Sequence, residues 1–170
     1  MQAAGVFAVL FLAAGAAHGA EPAHPFDAGG VGLGGSEAQV KKAFPSALCK
    51  PLEWKSNAAD RRCDDGKISF GGAEARVTFY LRKDSIQAFD VRFDNKNLAQ
   101  VGAFVKERYG KPLAETTDKI ERQGKPAREV YKVRWEKGAD HALLVSQLEK
   151  KRATLTVSRG AFEEEIYRVR

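Results

Sequence analysis

Two cysteines, Cys49 and Cys63, are the residues of this sequence best suited to covalent chemistry. An even number of cysteines in an exported chain is typical of a disulfide, and a loop of this size would contribute about 3 kcal/mol of stability. A redox site would use the Cys-x-x-Cys spacing, which is absent, and a zinc site would need more ligands than two cysteines and the distant His141. We therefore predict a structural disulfide, and neither a metal ion nor a cofactor.

His141 is the histidine that we expect the fold to place, because the others stand near the N-terminus. It follows Asp140 and could act as a general base only if a serine such as Ser146 or Ser158 lay beside it, which the spacing does not indicate. We interpret His141 as a turn residue and predict no catalytic residue.

Asp90, Asp94 and Asn95 could together bind a cation at one end of a hairpin. The spacing of an EF-hand loop is absent, so we interpret them as a turn and a helix cap.

Trp54 stands between the two cysteines and is flanked by Lys50, Lys55, Arg61 and Arg62. Tryptophan and arginine are enriched at interface hot spots, so these five residues are our candidate binding surface. The alternative is that Trp54 packs over the disulfide.

Capping residues and apolar spacing indicate two helices that would position these side chains. Ser36 and Gln39 fit a capping box, and we expect the first helix to end at Pro45. Asn97 is predicted to cap the second helix, and Gly110 stands where a helix ends in a left-handed residue.

Alternating apolar residues predict strands after each helix. The first half has them at residues 67–70, 76–81 and 86–93, and the second at 130–135, 142–148 and 153–158. Residues 113–127 are predicted to be a polar linker, and the tail at 160–170 a short helix.

The order of helix, loop and strands occurs twice, and residues 75–93 align with 141–159 without a gap. The alignment matches Phe89 with Leu155 and Val91 with Val157. We predict an α+β fold, in which two α-β-β-β repeats form a mostly antiparallel sheet with the helices packed on one face.

Residues 1–20 have the pattern of a cleavable signal peptide, with an apolar stretch followed by small residues. The alternative is an uncleaved membrane anchor, for which this stretch has few large apolar residues. We predict cleavage near residue 20 and a periplasmic mature protein with no transmembrane span. Residues 21–30 would be a flexible N-terminus and 31–170 a single domain, with halves at 31–96 and 97–159.

The formal net charge is +6 at pH 7. Such an excess favours acidic partners, either anionic lipid headgroups or acidic proteins. Nucleic acid is not expected as the partner of an exported protein.

Residues 32–40, Gly-Leu-Gly-Gly-Ser-Glu-Ala-Gln-Val, resemble the opening of BamE-like (SmpA/OmlA) domains and of β-lactamase-inhibitor-like modules. Tyr109-Gly110-Lys111-Pro112 and Trp135 are similar to features of small periplasmic domains of unknown function. The resemblance implies a first helix followed by hairpins. BamE-like proteins carry an acylated cysteine just after the signal peptide, and no cysteine lies near residue 20 here.

These observations together favour a non-enzymatic binding or adaptor domain with another periplasmic or envelope protein as its partner. Its contact surface would lie near the cystine loop or along an exposed sheet edge. Two alternatives remain open: a proteinaceous inhibitor of a hydrolase, and an enzyme that uses carboxylates in a cleft the sequence does not reveal.

Overall fold

The structure is a computed structural model that describes residues 26–147 and 149–162. Within these residues, eight strands form one antiparallel sheet in the order β3-β4-β5-β6-β10-β9-β8-β7, and two short strands, β1 and β2, form a separate hairpin. The elements are β1 (Asp27–Ala28), β2 (Val31–Gly32), α1 (Glu37–Ala43), β3 (Leu48–Pro51), β4 (Arg61–Phe70), β5 (Ala73–Arg82), β6 (Ser85–Asp94), α2 (Leu98–Tyr109), β7 (Ala114–Arg122), β8 (Lys125–Lys137), β9 (Asp140–Gln147) and β10 (Arg152–Arg159).

The prediction of an α+β fold with helices packed on one face as its main feature is wrong. Strands make up 56% of the described residues and helices 17%, so the protein is mostly β. The error came from two segments that were not expected to form strands. Residues 113–127, the expected linker, form β7 and the start of β8, and the cystine loop contributes β3 and the start of β4. Each helix is therefore followed by four strands rather than three. The predicted antiparallel pairing of the sheet is confirmed.

The two halves share the sheet through the pairing of β6 with β10. In this register Phe89 lies opposite Val157 and Val91 lies opposite Leu155. In the sequence alignment, Phe89 is equivalent to Leu155 and Val91 is equivalent to Val157. Replacing each residue of the first pair by its equivalent therefore gives the second pair. The pairing therefore has local twofold symmetry, with equivalent strands on either side of the boundary.

Alternation along the strands gives the sheet two different faces. One, the core face, carries the largest buried side chains, among them Phe79, Phe89, Leu155 and Trp135. The other, which we call the open face, carries the residues between them, and one row across it is Asp64, Thr78, Asp90, Thr156, Leu143 and Arg134.

The helices begin as local capping chemistry requires, with one difference from the prediction. The Ser36–Gln39 capping box is confirmed, and Phe44 at the end of α1 contacts Phe79 of the sheet. Asn97 makes no capping hydrogen bond. The chain instead enters α2 through a 3-10 turn at Asn95–Asn97, where the Asp94 side chain accepts a hydrogen bond from a backbone N–H. Gly110 follows α2 with φ +86°, as predicted.

The β1–β2 hairpin lies in part within the segment that we expected to be flexible. Asp27 is buried, and its carboxylate accepts hydrogen bonds from the Arg108 guanidinium of α2 and from the backbone N–H of Gly30. The Tyr109 hydroxyl donates to the backbone oxygen of Asp27 at 2.8 Å. These bonds attach the start of the described chain to α2.

Residues 1–20 and most of the C-terminal tail lie outside the described residues. No helix among the described residues has the length and apolar character needed to cross a membrane.

Candidate binding face

The Cys49–Cys63 disulfide is confirmed and joins β3 to β4 at directly opposed positions. Cys63 is fully buried in the main core, and Cys49 is partly buried and packs against it. The bridge encloses the loop at residues 52–60, which carries Trp54.

Trp54 is half-buried and packs against a second apolar cluster rather than over the disulfide. This cluster lies at one end of the open face and comprises Ala58, Ala59, Ala88 and Phe162, with Leu52 and Tyr80 at its margin. The Arg62 guanidinium lies 6.0 Å from the centre of the Trp54 ring, within the range of a cation–π contact. Packing against this cluster therefore buries most of the Trp54 side chain. Its remaining exposed surface lines a shallow depression together with Lys55.

The five residues predicted as a binding surface do not share one face. Lys50 and Arg62 are cross-strand partners on the open face, whereas Arg61 points to the core face and binds Glu37 at 2.7 Å. That bond raises the pKa of the Arg61 guanidinium and lowers the pKa of the Glu37 carboxyl.

Acidic neighbours further offset the basic character of the cystine loop. Lys50 lies beside Glu53 and lowers the pKa of that carboxyl by hydrogen bonding, and Arg62 lies 3.0 Å from Asp64. The loop is therefore a locally paired surface rather than a net cationic one.

His141 does lie in a row with a serine, which the spacing did not indicate. Ser158 of β10 and Glu136 of β8 are its cross-strand partners, and Nδ1 of His141 is 3.5 Å from a Glu136 oxygen. Among the described residues, however, no hydrogen bond joins the Ser158 hydroxyl to His141. Asp140 binds the Arg159 guanidinium instead. The row lacks the base contact that would activate a serine.

The three residues weighed as a cation site point to different partners. Asp90 accepts a hydrogen bond from the Thr156 hydroxyl, Asp94 accepts one from a backbone N–H, and Asn95 accepts one from the Ser146 hydroxyl. In the described part of the chain, three potential metal ligands come together at Glu37, Cys49 and Cys63, but the two sulfurs are bonded to each other.

Asp90 is the most deeply buried charge on the open face, with 7% of its surface exposed. Burial raises the pKa of its carboxyl, while the Thr156 hydroxyl and Arg92 act in the opposite direction. Asp90 is therefore shielded from water in the middle of the open face, although neither helix of the described residues covers it.

Sequence reasoning missed the apolar residues on the open face. Leu143 and Val145 of β9 are half-buried there, and Val130 of β8 is 5% exposed. The register places Leu143 between Thr156 and Arg134, and Val145 between Thr154 and Lys132. An apolar centre is thus bordered by hydroxyl groups on one side and by cations on the other.

A depression of about 510 Å³ opens at this apolar centre. Its walls come from four neighbouring strands, β7 to β10, together with Gly160 and Ala161. The signal that could have revealed it is the length of the apolar run in β9, Ala142-Leu143-Leu144-Val145, which is apolar on both faces. A strand with one solvated face would alternate.

Comparisons of the chain with protein-family models, curated proteins and solved structures found no significant match. The function must therefore be argued from the geometry of the chain itself.

Proposed function

We propose that this protein is an exported, non-enzymatic binding domain that holds a partner protein of the periplasm or cell envelope on its open face. The Cys49–Cys63 disulfide supports an oxidising compartment, where such bonds persist. The signal-peptide pattern of residues 1–20 supports export to the periplasm.

The observation that carries the proposal is the composition of the open face around Leu143. An antiparallel sheet that shows one face to water usually carries polar side chains there. Here Leu143 and Val145 occupy that face, and Thr156 and Thr154 border them. An apolar centre inside a polar rim is the usual anatomy of a protein interface.

The polar rim around Leu143 is suited to selecting a partner rather than to catalysing a reaction. Lys132 binds Asp118 at 2.8 Å, and Arg134 binds Glu136, so these cations are already held in place. Ion pairs at a rim contribute to orientation and to the rate of association more than to affinity. The half-buried hydroxyls of Thr154 and Thr156, on the opposite side of the apolar centre, can exchange hydrogen bonds with a partner.

Photo-cross-linking tests the proposal. A photoreactive phenylalanine derivative would replace Leu143 on the open face, and a matched derivative would replace Ala103 on the exposed side of α2. After irradiation in cells, we expect a defined adduct from position 143 that excess wild-type protein suppresses, and none from position 103. Equal adducts from both positions, or none from position 143, would refute it.

The adduct also distinguishes the classes of partner. The resemblance of residues 32–40 to β-lactamase-inhibitor-like modules makes a hydrolase one partner to test. If the adduct contains a hydrolase, inhibition of that enzyme by the purified protein would establish the inhibitor function. An adduct with an outer-membrane protein would favour the BamE-like resemblance. Turnover by the purified protein alone would contradict a non-enzymatic role.

A further inference from the structure

A second depression, of about 810 Å³, lies around one end of strands β4, β5, β6 and β10. It differs from the first in charge. Three acidic side chains, Asp65, Glu74 and Asp94, share it with six cationic ones, which are Lys67, Arg76, Arg92, Lys96, Lys151 and Arg152. We call this region the basic end.

Two of these cations are placed directly against each other. Arg76 of β5 and Arg92 of β6 are cross-strand partners on the open face. Like charges at opposed positions of an antiparallel pair destabilise a sheet. Both side chains are exposed, so the repulsion is screened in the free protein but available to attract an anion.

The acids of the basic end leave its cations largely unpaired. Among the described residues, Lys67, Arg76, Lys151 and Arg152 form no ion pair within 4.0 Å. The two cations that do have an acid nearby have it at long distance, at 3.6 Å for Arg92 and 3.9 Å for Lys96.

Several ion pairs elsewhere on the protein are closer. Lys106 lies 2.7 Å from Glu115, Lys132 lies 2.8 Å from Asp118, and Arg128 lies 2.8 Å from Glu149. The basic end therefore gathers in one depression four cations that have no such partner among the described residues.

Two of the acids there are engaged by neutral donors. Asp65 accepts hydrogen bonds from the Ser46 hydroxyl at 2.6 Å and from the backbone N–H of Lys67 at 3.0 Å. Asp94 accepts one from the backbone N–H of Lys96 at 2.9 Å. These hydrogen bonds stabilise the local turns. The two carboxylates therefore offset little of the positive charge on Arg76 and Arg92.

We propose that the basic end binds an acidic segment of the partner protein, an inference that rests on the proposed function of the open face. Arg76 and Arg92 lie on that face, and Thr154, the neighbour of Arg92 on β10, is also the neighbour of Val145. A partner seated on the apolar centre would thus reach the arginines. Guanidinium groups hold carboxylates by paired hydrogen bonds.

The mixed lining favours a polypeptide over a membrane surface. Glu74 and Asp94 would repel a layer of phosphates, whereas a polypeptide can place its carboxylates at the arginines and its backbone N–H groups at the acids.

The test uses a fluorescent synthetic peptide of alternating glutamate and glycine, with binding followed by anisotropy. The probe variant is Arg76→Gln with Arg92→Gln. The control variant is Lys42→Gln with Lys111→Gln, which removes the same charge from two exposed positions outside the basic end. Circular dichroism and thermal melting verify that each variant is folded.

We expect wild type and control to bind the peptide within twofold of each other, and the arginine variant at least tenfold more weakly. Raising the salt from about 0.05 M to about 0.5 M should weaken binding to wild type, since it shortens the screening length. Equal affinities for the two variants, or no binding at low salt, would overturn the proposal. So would binding to phosphatidylglycerol vesicles or inorganic phosphate that exceeds binding to the peptide.

The cross-link from position 143 separates this inference from the proposed function. If the cross-link forms but the arginine variant binds the peptide as wild type does, only the inference about the basic end fails. If no cross-link forms from position 143, the proposed function fails whatever the peptide does.

Discussion

Replacing Asp27 with alanine tests whether the β1–β2 hairpin is an integral part of the fold. The buried carboxylate accepts from Nε of Arg108 at 2.6 Å, from a second nitrogen of that guanidinium, and from the Gly30 backbone at 2.7 Å. Alanine would remove all three hydrogen bonds and leave Arg108 charged, partly buried and without its carboxylate.

The size of the effect follows from how much water can reach the arginine. Removing one partner of a fully buried ion pair costs about 3 to 5 kcal/mol. The Arg108 side chain is 29% exposed, so water recovers part of that cost. We therefore expect the free energy of unfolding to fall by about 2 to 3 kcal/mol, and the melting temperature by about 5 to 10 °C.

Urea and thermal unfolding followed by circular dichroism measure this change. The matched control is Glu121→Ala, which removes an exposed acid 3.3 Å from Lys119 and should cost no more than about 0.5 kcal/mol. If the two variants unfold alike, the attachment of β1 to α2 contributes nothing and the reasoning is refuted.

Three further predictions concern the disulfide, the open face and the β1–β2 hairpin. Reducing the Cys49–Cys63 bond should lower the free energy of unfolding by about 3 kcal/mol, measured by urea titration with and without reductant. Asp90→Asn should stabilise the protein at pH 7, with the gain shrinking as the pH falls toward 3.8, the ordinary pKa of the carboxyl. Burial raises the pKa of Asp90 in the folded state, so the carboxyl lowers stability progressively as the pH rises from 3.8 through that raised value. A gain that grows toward low pH would contradict this. Gly32→Ala should destabilise by about 1 to 3 kcal/mol, since its Cβ would lie 2.7 Å from the Phe26 backbone oxygen, whereas Gly66→Ala should be neutral in the same melt.

The elements with strong local signals were predicted well from the sequence. The Ser36 capping box and Gly110 depend on chemistry within a few residues, and both occur as expected. Strands β5, β6 and β10 alternate between apolar and polar residues over most of their length, so they are visible without knowledge of the fold.

Strand β7 was missed because its partners, rather than its own residues, determine its structure. It is an edge strand, and nearly all of its side chains lie exposed, so no apolar alternation marks it. Its strand conformation comes from pairing with β8, where Thr117 lies opposite Tyr131. Adding this strand to one half, and β3 and the longer β4 to the other, changes the fold class from α+β to mostly β.

The candidate site could be predicted only in part from the sequence, for a similar reason. Proximity in sequence grouped Arg61 with Arg62, but adjacent residues of a strand point to opposite faces. Arg76 and Arg92 are far apart in sequence and meet only through the register of β5 with β6. The basic end therefore became visible only once that register was known.

The central claim, that the open face holds a partner protein, is tested most directly by affinity for the protein cross-linked at position 143. Calorimetry would compare wild type with Leu143→Arg and with Ala103→Arg, which adds the same side chain to the exposed side of α2. We predict that Leu143→Arg weakens binding at least a hundredfold and that Ala103→Arg changes it less than twofold. Equal affinities for the two folded variants would contradict the assignment of the open face.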